Sequence, residues 1–404
     1  MRGWTIASTD QTLPRPSDRS WTSILYNPAV RGVVFQVALA VFLIAFFWWI
    51  VNNAITNLQR ANIASGFGFL SNRAGFEILT SVISYSSDST YGRAFLVGLL
   101  NTIYVAILGI IFATIIGFIV GIARLSPNWL IRKIATVYVE FFRNIPLLLQ
   151  LLFWYKAVLS VLAGPKQSLS IFGIAYLSNR GLVITKPFVE PGSGAVAIAF
   201  LVAIVACVVL SKWATGRQLA TGLRPHVYRY MPLILIGLPA TVGLAVGARF
   251  GLSIPELAGF NFKGGATVTP EFLALMLGLS IYTAAFIAEI VRAGILAVSH
   301  GQTEASLSLG LDRGKTLRLI IVPQALRVII PPLTNQYLNL TKNSSLAVAI
   351  GYPDLVSIFA GTVLNQTGQA VEVILMTMLV YLTLSLLTSA FMNWFNSRIA
   401  LRDR

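Results

Sequence analysis

Eight apolar runs alternate with polar stretches along this chain, at Val33–Val51, Ala94–Ile119, Thr136–Val161, Val196–Lys212, Met231–Ala248, Glu271–Val291, Leu319–Leu340 and Val371–Met392. A hydrocarbon core about 30 Å thick needs roughly 20 apolar residues in helical form. In lipid, a helix satisfies its own backbone polar groups. The pattern therefore predicts an all-α polytopic membrane protein with about eight transmembrane helices. The first run lies far from Met1 and ends in bulky residues, unlike a cleaved signal peptide. The seventh is interrupted by Pro323, Pro331 and Pro332.

The runs divide the chain unevenly. Residues 1–31 form a polar tail with Pro14, Pro16 and Pro28, and residues 32–93 hold one span and a mixed polar loop. Residues 94–392 are dense in spans, with two of them at about 195–250, and residues 393–404 are a second tail. The loop 162–194 carries Pro165, Pro187 and Pro191. No internal repeat is strong enough to mark inverted halves, which weakens a secondary-transporter reading.

Composition agrees. The chain is 56% hydrophobic and 11% charged, against roughly 25% charged in soluble domains. The net charge of +16 raises the question of nucleic acid, and its distribution answers it. With a cytoplasmic N-terminus, 18 Lys and Arg fall inside, nine outside and three within spans. That two-to-one bias is the positive-inside signature, so the excess charge reads as topology. Cys207 is alone in an apolar run and reads as a packing residue.

One polar block stands out, Gln302–Pro323. A short helical run carries Glu304, Ala305 and Ser306; Gly310 follows, then a charged patch from Asp312, then Pro323. Small residues permit close approach and Glu304 offers a charged hydrogen bond. Gly310 can end the helix through a left-handed turn. The block reads as a docking lever for a soluble partner.

Within the spans, Glu140 and Arg143 lie three apart and can pair locally, fixing helix depth. Pro146 opens one turn of the helix ladder and lets that span flex. Glu289 and Arg292 allow a similar pair at the interface. After Pro332 come Asn335, Gln336, Asn339, Lys342 and further polar residues. Broken backbone at membrane depth is tolerated where it faces protein or water, so this segment reads as a translocation pathway or as an outside loop capping the bundle. Asn335, Asn339 and Lys342 are the pathway candidates. His226 and His300 have no metal-ligand spacing around them. No catalytic triad or glycine-rich phosphate loop is present, so neither catalysis nor ATP hydrolysis is expected of this chain.

The Gln302–Pro323 block resembles the cytoplasmic loop of ATP-binding-cassette importer permeases. The family's Glu-Ala-Ala, three residues, Gly pattern meets Glu304, Ala305, Ser306 and Gly310, with Ser at its third position. LLNTIYVA at Leu99–Ala106, RNIPLLLQ at Arg143–Gln150 and the Leu319–Ser345 stretch resemble the polar amino-acid branch. The extra first span and two extra middle spans resemble the larger permease of the general L-amino-acid importer. The resemblance implies a five-helix type I importer core with three added helices. It implies a heterodimer with a second permease, two copies of an ATPase, and a periplasmic binding protein delivering L-amino acids. ATP and Mg would belong to the ATPase, with no cofactor or metal on this chain. The implied location is the inner membrane of a Gram-negative bacterium, with both termini cytoplasmic. A channel or ion-coupled transporter, or an importer of another small polar solute, are the alternatives.

Overall fold

The computed structural model describes residues 28–60, 66–189, 193–223, 225–247 and 250–399. It comprises two compact units, one ending at Phe67 and one running from Gly68 onward. The first unit carries α1 (Pro28–Arg60), apolar over most of its length. The remaining elements belong to the second.

Three helices form the centre of that unit: α2 (Tyr91–Ala123), α7 (Pro270–Leu296) and α10 (Val322–Asn343). Side-chain caps start the first two. Thr90 Oγ1 accepts from Arg93 N at 3.2 Å, and Thr269 Oγ1 accepts from Phe272 N at 3.4 Å with Pro270 in the first turn. Helices α2 and α7 approach closely because α2 is glycine-rich where they cross. A Cβ on Gly117 would stand 2.6 Å from Ile287 Cβ, and one on Gly121 2.8 Å from Val291 Cβ. Ala284, Ala285 and Ala288 of α7 are fully buried. Small residues are how helices pack in lipid, where no hydrophobic effect drives them together.

The third predicted span is bent. Helices α3 (Trp129–Asn144) and α4 (Leu147–Leu152, continued by a π-helical turn Phe153–Leu159) meet at 105°. Pro146 causes this: it has no N–H for the carbonyl of Phe142. Buried Gln150 replaces that donor, its Nε2 bonding Phe142 O at 3.0 Å and Ile145 O at 2.9 Å. Counting the bent pair as one, eight described segments are long and apolar enough to cross a membrane.

Helices α5 (Ser193–Thr221) and α6 (Val227–Val246) are the two middle spans. The loops at their feet hold short strands that hydropathy did not predict: β1 (Leu169–Ile171), β2 (Ala175–Ser178), β3 (Gly181–Ile184), β4 (Lys186–Val189), β5 (Phe250–Ser253), β6 (Glu256–Ala258), β7 (Asn261–Lys263) and β8 (Ala266–Val268). Strands β1-β2-β3-β8 make one antiparallel sheet, with Leu182 opposite Val268. Strands β4 and β5 pair, as do β6 and β7. This sheet lies where α4 ends and α7 begins.

At the opposite end of α7, the chain turns into α8 (His300–Ser308) and α9 (Arg313–Thr316), then a π-helical turn Leu317–Ile321 that enters α10. Helix α10 is continuous through Pro331 and Pro332. The sequence expectation of a broken span is therefore corrected. A short 3-10 helix Ser344–Ile350 and a π-helical segment Val356–Val363 follow, then α11 (Leu364–Thr367) and α12 (Ala370–Ile399).

Candidate functional site: a lever and a polar helix face

Helix α8 is mostly exposed. Glu304 stands in solvent, with its Oε1 3.4 Å from His300 Nδ1, and Ala305 beside it is exposed too. Ser306 is not. It is 1% exposed, and its hydroxyl bonds Thr303 O at 2.8 Å and Thr316 Oγ1 at 3.0 Å. The expectation that Ser306 offers a small outward surface is corrected: it ties α8 to α9. Leu309, unnoticed in the sequence, is 81% exposed at the end of α8. A leucine just before the glycine was the available signal.

Gly310 takes φ +80. Gly310 N bonds Leu307 O at 2.9 Å and Leu311 N bonds Ser306 O at 3.1 Å. These paired bonds, with glycine left-handed past the helix end, are the Schellman termination. Asp312 then caps α9. Its Oδ1 accepts from Lys315 N at 2.9 Å, and its Oδ2 lies 3.1 Å from Lys315 Nζ. Those contacts hold its carboxyl below the usual carboxylate range. Gln324 Nε2 donates to Gln302 Oε1 at 3.3 Å, linking α10 back to α8. The lever is thus a preformed, cross-tied element rather than a loose loop.

The lever hangs from α7, whose last turns are clamped to α2. Glu289 accepts from Arg292 Nη2 at 2.7 Å and also from Arg124 at the end of α2. The predicted local pair exists and is half of a three-residue cluster. The other predicted pair does not form. Glu140 and Arg143 are both exposed with no ion pair between them, and Arg143 instead lies 5.2 Å from the centre of the Phe286 ring. The three-residue spacing allowed a pair, but packing against α7 gave Arg143 an aromatic face instead.

Helix α10 has two faces. Ala325, Ile329, Leu333, Leu340 and Thr341 are buried, and Tyr337 bonds Thr114 of α2 at 2.8 Å. On the other side Pro331, Pro332, Asn335, Asn339 and Lys342 form one exposed stripe. Pro331 and Pro332 lack the N–H groups that the carbonyls of Arg327 and Val328 would accept. Among the described residues no hydrogen bond is made by the side chains of Asn335 or Asn339. The stripe therefore presents two unpaired side-chain amides and a lysine along a membrane-length helix. Such groups are costly against hydrocarbon, so a protein surface or a wet path must cover them. Pro323 sits in the first turn of α10, just past the π-helical turn.

The LLNTIYVA residues prove structural. Asn101 Nδ2 donates to Thr80 O and Pro353 O, both at 2.8 Å, and Thr102 Oγ1 accepts from Leu355 N at 3.0 Å. They hold an elbow, Tyr352–Leu355, against the start of α2. Buried Asp354 caps the segment beyond the elbow, accepting from Ser357 N at 2.8 Å and Tyr381 OH at 3.2 Å. Burial pushes its carboxyl up to about 7. Among the described residues, no cluster of three or more His, Cys, Asp and Glu is placed to hold a metal.

Residues 113–401 match the family described as the inner membrane component of binding-protein-dependent transport systems, and the chain belongs to that family. It is therefore a transport component and not an enzyme. It is 53% identical to the general L-amino acid transport system permease protein AapQ of Rhizobium johnstonii, over 99% of this chain and all of that one. It is 53% identical to the putative amino-acid ABC transporter permease protein YhdX of Escherichia coli K12, over 94% of this chain and 96% of the relative. With the glutamate/glutamine/aspartate/asparagine transport system permease protein BztB of Rhodobacter capsulatus it shares 42% identity, over 94% and 96% of the two chains.

Proposed function

We propose that this chain is one of two permease subunits in an ATP-driven importer of L-amino acids. Its observational basis is the lever: an exposed, cross-tied short helix between α7 and α10, with Glu304, Ala305 and Leu309 outward. In this reading α8 seats in a groove of a separate ATPase, which binds ATP and Mg. Closure of the two ATPase copies moves α8; α7 follows because the chain runs directly from it into α8, and α10 because Gln324 bonds Gln302. The Asn335, Asn339 and Lys342 face of α10 lines the path between the two permeases. A zwitterionic amino acid finds amide donors and acceptors there rather than fixed opposite charges, and so binds weakly and leaves. A binding protein delivers it from the periplasm.

The name of AapQ favours a broad amino-acid cargo and that of YhdX gives amino acids without naming any, while that of BztB points to acidic residues and their amides. We favour broad cargo on the stronger identity. The charge bias favours both termini and residues 292–318 in the cytoplasm, and residues 52–93 and 162–194 on the opposite side, which is the periplasm in the Gram-negative inner membrane that the family resemblance implies. Labelling with an impermeant thiol reagent in a Cys207→Ser background tests the orientation. Ser86→Cys should react from outside and Ser308→Cys should not; the reverse pattern would invert the topology. The assembly is tested by purifying the native complex and weighing its subunits. Two different permeases and two ATPase copies are expected, and a lone chain of 43.9 kDa without an ATPase would reject the reading.

A further inference from the structure

The segments before α5 and after α6 fold together, although the β3 and β8 residues that pair lie more than 80 positions apart. Strands β1–β3 come from the first and β8 from the second. Three of their turns, at Gly164–Gln167, Asn179–Arg180 and Gly259–Phe260, enclose a notch of about 360 Å³. Lys166, Arg180, Gln167 and Asn179 supply its polar wall and Phe260 its apolar one. The two cations are held in place. Lys166 Nζ lies 4.3 Å from the centre of the Phe260 ring, and Arg180 Nη1 donates to Phe260 O at 3.2 Å. The turn that carries Arg180 is pinned by Asn179 N bonding Ala163 O at 3.0 Å. Among the described residues neither cation has an ion pair.

We propose that this notch is a docking point for an acidic side chain of the substrate-delivering protein. Resting on the importer reading above, the proposal names the surface that receives that partner. Two cations and two neutral amides lining one notch match a carboxylate, which takes charge-assisted bonds from several donors. The apolar surroundings favour a protein over a free amino acid. Phe260 is 76% exposed, Leu169 59% and Leu257 49%, and a small zwitterion seated in the notch against Phe260 would leave the two leucines bare. A rigid aromatic beside arginine is the composition of an interface anchor. Lipid phosphate fits less well, because membrane cations reach headgroups on free side-chain stems and both of these side chains are engaged by Phe260. The position also serves coupling. The chain runs from β8 through α7 to the lever in one continuous path, residues 266–308, so a partner seated on the sheet bears on the helix that carries α8.

The test uses the whole importer in nanodiscs of phosphatidylcholine alone, titrated with its ligand-loaded delivery protein. Lys166→Glu with Arg180→Glu should weaken apparent affinity at least tenfold and flatten its salt dependence. The milder Lys166→Gln with Arg180→Gln should weaken it about three- to tenfold. Lys186→Glu, a charge change elsewhere on the strands, should leave affinity unchanged, and ATP hydrolysis without the delivery protein should be unchanged in every variant. Unaltered affinity in both double variants overturns the proposal. A defect that appears only when anionic lipid is added also overturns it, and assigns the notch to headgroups. A wild-type complex that responds to no delivery protein would instead overturn the importer reading itself.

Discussion

Replacing Gly310 by valine isolates the backbone term that shapes the lever. At φ +80 the residue is left-handed. A Cβ there would meet nothing within 4 Å, so crowding contributes nothing and the cost is conformational alone. For an L-residue that cost is roughly 1–2 kcal/mol, with a β-branched side chain at the upper end. Escaping it by leaving the left-handed region breaks the two terminating bonds, Gly310 N to Leu307 O and Leu311 N to Ser306 O. A loss of about 1–2 kcal/mol corresponds to roughly a five- to thirtyfold fall in the properly terminated lever. The readout is the affinity of the permease pair for its ATPase, measured in detergent, with substrate-stimulated ATP hydrolysis alongside. Affinity should fall in the order glycine, asparagine, alanine, valine, since asparagine tolerates left-handed backbone best among the three replacements. Valine equal to glycine, or asparagine as poor as valine, would refute the argument.

Four further outcomes follow from the same contacts. Ser306→Ala, which restores the small residue usual in the resembling loops, should leave Thr316 Oγ1 short of a partner. It should loosen α8 by about 1 kcal/mol, read as faster hydrogen exchange over residues 300–316. Glu289→Gln leaves Arg124 and Arg292 facing each other and should destabilise the helical unit by about 2 kcal/mol, discounted for partial exposure, seen as a lower melting temperature. Asn339→Leu keeps bulk but removes both hydrogen-bonding functions, and should lower uptake or change amino-acid preference while the complex still assembles; unchanged uptake across acidic, basic and neutral amino acids would reject the pathway role. For Asp354, whose folded carboxyl sits at about 7 against an unfolded value near 4, the folded state holds the proton more tightly. Stability should therefore be highest below pH 4 as far as this group is concerned and fall as pH rises to about 7; Asp354→Asn should flatten that part of the melting profile.

The membrane spans were legible because hydropathy is a local property. So was the exit of the lever, since Gly310 followed a short helical run and φ +80 is what glycine supplies. What lay outside the sequence pattern depends on distant partners. Arg124 is 165 positions from Glu289, and no spacing rule joins them. Strands three or four residues long carry too little alternation to read, and β8 pairs with β3 across two whole spans. Small size alone suits Ser306 to close docking; its inward orientation is set by Thr316 on another helix. Pro331 and Pro332 misled for another reason. Proline removes a donor and crowds the carbonyl four residues back, yet the helix runs on through both prolines, which lie on its exposed face. At Pro146 the opposite happened, because buried Gln150 was placed to satisfy the bent conformation.

The central claim is that ATP hydrolysis by a partner moves L-amino acids past the polar face of α10. It is tested most directly by uptake of labelled amino acids into proteoliposomes holding the purified complex, with ATP supplied to the ATPase side and the delivery protein to the other. Uptake that requires both, persists when ion gradients are collapsed, and fails with a hydrolysis-deficient ATPase is the predicted result. Uptake driven by a sodium or proton gradient without ATP would contradict the account and favour an ion-coupled transporter.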